Sequence, residues 1–236
     1  MIFSPMKKLL LFDIDGTLIS VEKTASRLML RRVVEEVFDI ELPQDFVFHL
    51  GGKTDYQIMT ETAERLDIPT KHVEERRTKI QEKLVEHTSP LSNTAQMQIL
   101  RGVQDLVSEL HERDDVTLGL LTGNIEATAY LKLRPHGLDA VFPFGAFGND
   151  HIDRAALPPI ALHRANSRRG RAAFTSENTV IIGDTLNDIR CAKAHNIRVV
   201  AVATGHDSAE TLRNAGADIV VPDFADKPAM VRFLTE

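Results

Sequence analysis

The chain has 236 residues, enough for one large domain or a core domain carrying a smaller insert. Hydrophobic residues make up 43% and charged residues 26%, so a packed core is expected and disorder is not. The net charge of -6 and the absence of a long basic run disfavour duplex nucleic acid and anionic membranes as partners.

The first element is "LLLFDIDGTLI", residues 9–19. It reads as a fully buried strand whose carboxyl end carries Asp13 and Asp15. Residues two apart in a strand share a face, so both carboxylates are expected to project together. Two such charges repel, which makes sense if a cation lies between them or one is protonated. Gly16 permits the sharp exit that follows.

Three helical stripes come next. Val21, Ala25, Leu28, Met29, Val33 and Val37 form the first, and Ile58, Met59, Ala63 and Leu66 the second. Val73, Ile80, Leu84 and Val85 form the third, after the start signal Pro69–Thr70. An all-helical insert is therefore expected over residues 20–95, between two parts of a core at 1–19 and 96–236. The polar stretch "HTSPLSNTAQ" is its expected return hinge. Between the first two stripes, "HLGGKTDYQI" pairs glycines with Lys53. Lys53 is either a contact for an anionic substrate group or a solvated lysine beside a helix start at Thr54 or Asp55.

Four further short apolar runs follow: "VTLGLLT", "NTVIIGD", "IRVVAVAT" and "ADIVVPD". They barely alternate in polarity, as strands buried on both faces do, and helical patterns separate most of them. Val103, Leu106, Val107 and Leu110 mark one such helix, and Leu157, Ile160 and Ala161 another. The expected fold is α/β, a Rossmann-like doubly wound parallel sheet with an inserted all-helical cap.

Ligands of such sheets sit at the carboxyl ends of the strands. Thr122 ends the second buried run, and Gly123 and Asn124 follow with backbone N–H groups suited to phosphate oxygens. Asp184 ends the third run, and Asp188 lies four residues on. A carboxylate can attack phosphorus directly, and a second can serve the leaving group as acid and the incoming water as base. Magnesium takes oxygen ligands of this kind and offsets the repulsion between two anions.

"DIDGTL", "LLTGN" and "IIGDTLND", in this order, resemble motifs I, II and IV of the haloacid dehalogenase superfamily. The insert after motif I resembles that superfamily's C1 cap, and the layout is most similar to its phosphoglycolate-phosphatase-like hydrolases. The resemblance implies Mg2+-dependent hydrolysis of a small phosphorylated metabolite through an aspartyl phosphate. It implies Asp13 as nucleophile, Asp15 as acid/base and Thr122 as phosphate-binding hydroxyl. Asp184 and Asp188, with Asp13 and Asp15, are the implied metal residues. Leu186 stands where many relatives have proline. The motif III cation matches Arg154 in "GNDHIDRAALPP", with Lys132 of "AYLKLRP" as the alternative. The acid at Asp15 argues against dehalogenases and phosphonatases, which lack one there. A phosphosugar mutase stays open as the alternative. A receiver-like phosphate-binding module fits less well, being half this length and without a cap.

The lone cysteine, Cys191, excludes an intramolecular disulfide and reads as a small buried hydrophobe in a helix. The opening "MIFSPMKK" lacks the apolar core of a signal peptide, and no apolar run reaches membrane-span length. A cytoplasmic location is the expectation. The basic stretch "RRGR" at 168–171 is expected to be a solvated loop.

Overall fold

The computed structural model describes residues 7–92, 95–170 and 172–236. The opening residues 1–6, the middle of the expected hinge at 93–94 and the final arginine of "RRGR" lie outside the described residues.

The sheet follows from the apolar runs. Strands β1 (Lys8–Phe12), β4 (Val116–Leu121), β6 (Thr179–Gly183), β7 (Arg198–Val202) and β8 (Ile219–Val221) coincide with the five runs. With the two-residue β5 (Gly145–Ala146) they form a parallel sheet in the order β5-β4-β1-β6-β7-β8. β1 is central, and its residues alternate between two cores. Leu10 and Phe12 pack with α5 (Val103–His111), α6 (Glu126–Leu133) and α10 (Lys227–Thr235). Leu9 and Leu11 pack on the opposite face with α7 (Leu157–Arg169), α8 (Leu186–Ala194) and α9 (Ala209–Asn214). This is the doubly wound α/β arrangement, and it explains why β1 is apolar at every position from Leu9 to Phe12 rather than at alternate ones. Because β4 and β6 flank β1, the three motif-bearing strand ends are neighbours.

Among the described residues, four helices precede α5 on the way from β1 to β4: α1 (Lys23–Phe38), α2 (Asp55–Arg65), α3 (Lys71–Glu75) and α4 (Arg77–Ser92). They share a separate core that includes Leu30, Val33, Tyr56, Met59, Ile80 and Leu84. Two short strands absent from the sequence reading, β2 (Ile19–Val21) and β3 (Met97–Ile99), bracket them and pair antiparallel. Val21 therefore belongs to a strand, not to the first helical stripe. Leu28, expected in that stripe, is 53% exposed. The buried face of α1 instead runs through Ala25, Leu30, Val33, Val34 and Val37, and Leu28 falls off it. The third stripe is split at Arg76 into α3 and α4. Helix α4 then continues through Pro90 to Ser92, so the return connection is shorter than "HTSPLSNTAQ" suggested. Pro90 sits in the last turn, where it disrupts only the end of the helix.

The "RRGR" expectation is corrected too. Arg168 and Arg169 close α7, which ends at Gly170 in the left-handed conformation. Their guanidiniums lie over the Phe144 and Phe174 rings at 5.9 and 5.3 Å. Cys191 is buried in α8 as expected, and burial pushes its thiol up to about 12. No described helix is long and apolar enough to cross a membrane.

The burial pattern of α1 makes a direct prediction. Leu30→Ala should cost about 2–5 kcal/mol of unfolding free energy, and Leu28→Ala should stay within about 0.5 kcal/mol. Urea unfolding of the two variants separates the faces; equal losses would contradict the assigned helix rotation.

Candidate active site

Asp13 lies just beyond β1 and is 4% exposed. Its carboxylate meets the Arg154 guanidinium at 3.1 Å. Burial is the main force raising the Asp13 pKa, to about 6; Arg154 opposes it, and Asp188 and Asp15 add to it. Asp184 directly follows β6, is 3% exposed, and is likewise pushed well up by burial and then by the charges of Asp13 and Asp188. Thr17, to which the sequence reading gave no role, donates to Asp184 at 3.3 Å. The backbones of Gly16 and Gly205 press against the Asp184 carboxylate, so a Cβ at either would collide with it. Gly16 is also left-handed, at φ +82°. Gly205 was missed because it lies in a loop with no motif of its own.

Asp188 is fully buried on the first turn of α8. It accepts from the Thr185 backbone N–H at 3.0 Å and the Thr185 hydroxyl at 2.6 Å, forming a capping box. Its other oxygen meets Arg154 at 2.5 Å. Asp13, Asp184 and Asp188 each present a carboxylate oxygen within 4.8 Å of the others, and all three are buried. Three hard oxygen donors around one point suit a divalent ion such as Mg2+.

Asp15, expected from the sequence as a fourth metal residue, stands apart from that cluster. Its side chain, 38% exposed, turns to Lys132 on α6. The Lys132 ammonium donates to both Asp15 oxygens, at 2.8 and 2.7 Å, and to the Asn124 side-chain oxygen at 2.7 Å. The Asn124 amide donates to Asp15 at 2.7 Å and to the Thr122 hydroxyl at 2.8 Å. Thr122 itself is fully buried at the end of β4. The two aspartates thus pair with different side-chain cations, Asp13 with Arg154 and Asp15 with Lys132.

Arg154 opens a turn of 3-10 helix over Arg154–Ala156, capped by the Asp153 carboxylate. It is 4% exposed, not a surface partner of Asp153. Beyond Asp13 and Asp188 it donates to the Leu121 carbonyl at 3.2 Å and the Gly52 carbonyl at 3.1 Å. Burial alone would lower its pKa, but Asp188 and Asp13 outweigh burial and raise it.

The contact to Gly52 belongs to a wider docking of the loop before α2. Asn187 donates to the Gly51 carbonyl at 2.6 Å, and the Thr54 hydroxyl to that of Ile152 at 2.6 Å. The Asp55 N–H donates to the Gly123 carbonyl, and the Ile125 N–H to the Asp55 carboxylate, both at 2.8 Å. Thr54 is the N-cap of α2. Asp55, read from sequence only as another N-cap, is buried against the motif II loop, and that burial raises its pKa to about 6. Lys53 is ion-paired with Glu61.

The haloacid dehalogenase-like hydrolase model matches residues 10–202. The chain belongs to that family. This family member is 26% identical over 224 residues to the phosphoglycolate phosphatase of Colwellia psychrerythraea, covering 89% of this chain and 90% of that relative. It is 21% identical over 221 residues to the one of Aliivibrio fischeri, covering 92% and 93%. Solved structures with the same haloacid dehalogenase fold include a β-phosphoglucomutase from Clostridium difficile, with TM-score 0.70 and 20% identity over 98% of this chain and 97% of that one. A hydrolase from Pseudomonas syringae gives TM-score 0.69 and 19% identity over 98% and 100%.

The crowding predicts the behaviour of the metal-free protein. Asp184 has a raised folded-state pKa, so its ionised form destabilises the fold; this penalty is full above that pKa and absent below the ordinary 3.8. In EDTA, Asp184→Asn should therefore raise Tm at pH 8, and the gain should vanish toward pH 4. A Tm that falls at pH 8 would show that the three carboxylates do not strain the fold.

Proposed function

We propose that this protein is a magnesium-dependent phosphate monoester hydrolase acting on a small phosphorylated metabolite through a phosphoaspartate on Asp13. The observation that carries the reading is the buried Asp13 carboxylate at the end of the central strand. It has Arg154 on one side, Asp184 and Asp188 beside it, and the Thr122–Asn124 loop one strand away. The names of the curated relatives support a phosphate ester as the substrate class.

In this reading Asp13 attacks phosphorus, and the Thr122 hydroxyl and the N–H groups of Gly123 and Asn124 hold the transferring oxygens. Asp15 gives a proton to the departing alkoxide. It then takes one from the water that attacks phosphoaspartate and releases inorganic phosphate. Arg154 holds Asp13 in place and offsets part of its charge. Asp13, Asp184 and Asp188 would hold Mg2+, which when bound offsets the repulsion between carboxylate and phosphate. Lys132 and Asn124 fix the direction of the Asp15 carboxylate. Residues 20–95 act as a cap that closes the site from water through the Gly51–Asp55 loop. A lone buried thiol suits the reducing cytoplasm as its location.

The reading is tested with p-nitrophenyl phosphate. Phosphate release should require Mg2+, stop in excess EDTA and return on adding Mg2+. Asp13→Asn should abolish it with the circular dichroism spectrum unchanged. Turnover by Asp13→Asn would remove Asp13 as nucleophile.

Lys132 is tested separately. Lys132→Ala should lower kcat for an alkyl phosphate by roughly tenfold or more, a part of the 10²–10⁴ that acid–base help supplies, with KM nearly constant. The loss should be smaller for p-nitrophenyl phosphate, whose leaving group needs no proton. Lys132→Arg should recover part of kcat. Equal losses on both esters would place Lys132 outside proton transfer.

A further inference from the structure

Helix α6 follows the Thr122–Asn124 turn, yet its own sequence leaves its start uncapped. Its N-cap is Ile125, which has no side-chain oxygen to offer, and Thr128 stands three residues on. In α8 the matching positions are Thr185 and Asp188, and Asp188 accepts from the Thr185 backbone N–H at 3.0 Å. The Ile125 N–H has an acceptor all the same. It donates at 2.8 Å to the carboxylate of Asp55, on the first turn of α2 in the helical segment. Asp55 thus does from outside what the acid of a capping box does from within a helix. Its carboxylate is not needed as the cap of α2. That cap is the Thr54 hydroxyl, which accepts from the Gln57 N–H at 3.1 Å.

The turn before α6 is held on both sides. The Asp55 N–H donates to the Gly123 carbonyl at 2.8 Å, and the Gly148 N–H to the Asn124 carbonyl at 2.8 Å. The backbones also touch. A Cβ at Gly123 would collide with the Lys53 carbonyl, and one at Gly148 with the Gly123 carbonyl. The turn therefore lies between the Gly51–Asp55 loop and Gly148 with no room for a side chain. These bonds engage its carbonyls and leave the Gly123 N–H without a partner among the described residues. A backbone donor held open before a helix start is what a phosphate oxygen requires.

Resting on the phosphatase reading above, we infer that Asp55 is a positioning residue, through which the docked Gly51–Asp55 loop sets the shape of the phosphate-holding turn. Asp55 touches no reacting atom in this role; it acts through Gly123 and Ile125. The role runs against simple charge. Asp55 is an acid lining the same cavity as Asp13, so by Coulomb repulsion alone its removal would tighten the binding of an anion. Positioning of the turn requires the opposite sign.

Calorimetric titration with inorganic phosphate in Mg2+ reads that sign without depending on turnover. Asp55→Ala should weaken phosphate binding by roughly tenfold or more, the worth of one hydrogen bond to a charged group. Asp55→Asn removes the same charge but keeps an oxygen for the Ile125 N–H, and it should recover most of the affinity. Asp55→Ser, whose hydroxyl is one bond too short to replace the carboxylate, repeats the alanine test should that variant fail to fold. Each variant is titrated well below its own Tm, so that lost stability is not read as lost affinity. Phosphate affinity unchanged or raised in Asp55→Ala or Asp55→Ser would overturn the role. So would an Asp55→Asn variant that binds as weakly as Asp55→Ala. Failure of the unaltered protein to turn over p-nitrophenyl phosphate in Mg2+ would count against the phosphatase reading instead, while the phosphate affinities still decide what Asp55 does.

Discussion

Three buried carboxylates face a single guanidinium, and the architecture around them follows from that imbalance. Asp13, Asp184 and Asp188 lie within 4.8 Å of one another, with Arg154 as the cation paired to two of them. At an effective dielectric near 20, two unit charges 4 Å apart repel by about 4 kcal/mol. One arginine cannot cancel three such charges, which leaves a site that attracts a divalent ion. The polypeptide holds the carboxylates in place by covalent and hydrogen-bonded means. Asp188 is locked in a capping box, Asp184 is pressed between Gly16 and Gly205, and Asp13 is at the end of the central strand β1.

That strain needs rigid support, and the sheet order supplies it. With β1 between β4 and β6, the residues after the three strands emerge side by side from a layer covered on both faces. Arg154 comes from a separate turn, yet it bonds to the Leu121 carbonyl as well as to Asp13 and Asp188. It therefore ties the ends of β1 and β4 to the start of α8. Its contact to the Gly52 carbonyl extends the tie to the loop before α2. Docking of the helical segment and the arrangement of charge are thus linked through one side chain.

The strands and the strand-end acids could be read from the chain because buried parallel strands leave an unbroken apolar signal that ends abruptly in polar residues. The helices of the insert were visible by period but not in detail. Leu28 fits the period loosely and sits in solvent, and the break at Arg76 carries no proline or glycine to announce it. The strands β2, β3 and β5, two or three residues long and outside any apolar run, are too short to show a pattern. The partners of Asp15 were hidden for another reason. Lys132 lies 117 positions away and reaches Asp15 from the second turn of α6, so only the tertiary fold brings them together. Gly205 belongs to the same class: its meaning depends on the Asp184 carboxylate that stands opposite it. Arg154 was legible because a motif could be aligned to it, while its dual pairing could not be foreseen.

The antiparallel ribbon of β2 and β3 has a topological consequence. Val21 pairs with Met97, so the chain leaves for the helices and returns from them at points directly opposite one another. Everything between those two residues is a closed excursion whose ends already touch. A helical segment of different length or shape, grafted onto the same two anchors, would leave the register of β1, β4 and β6 unaltered. The sheet is in this sense a socket, and a lineage that keeps the ribbon can change what it recognises by exchanging the plug.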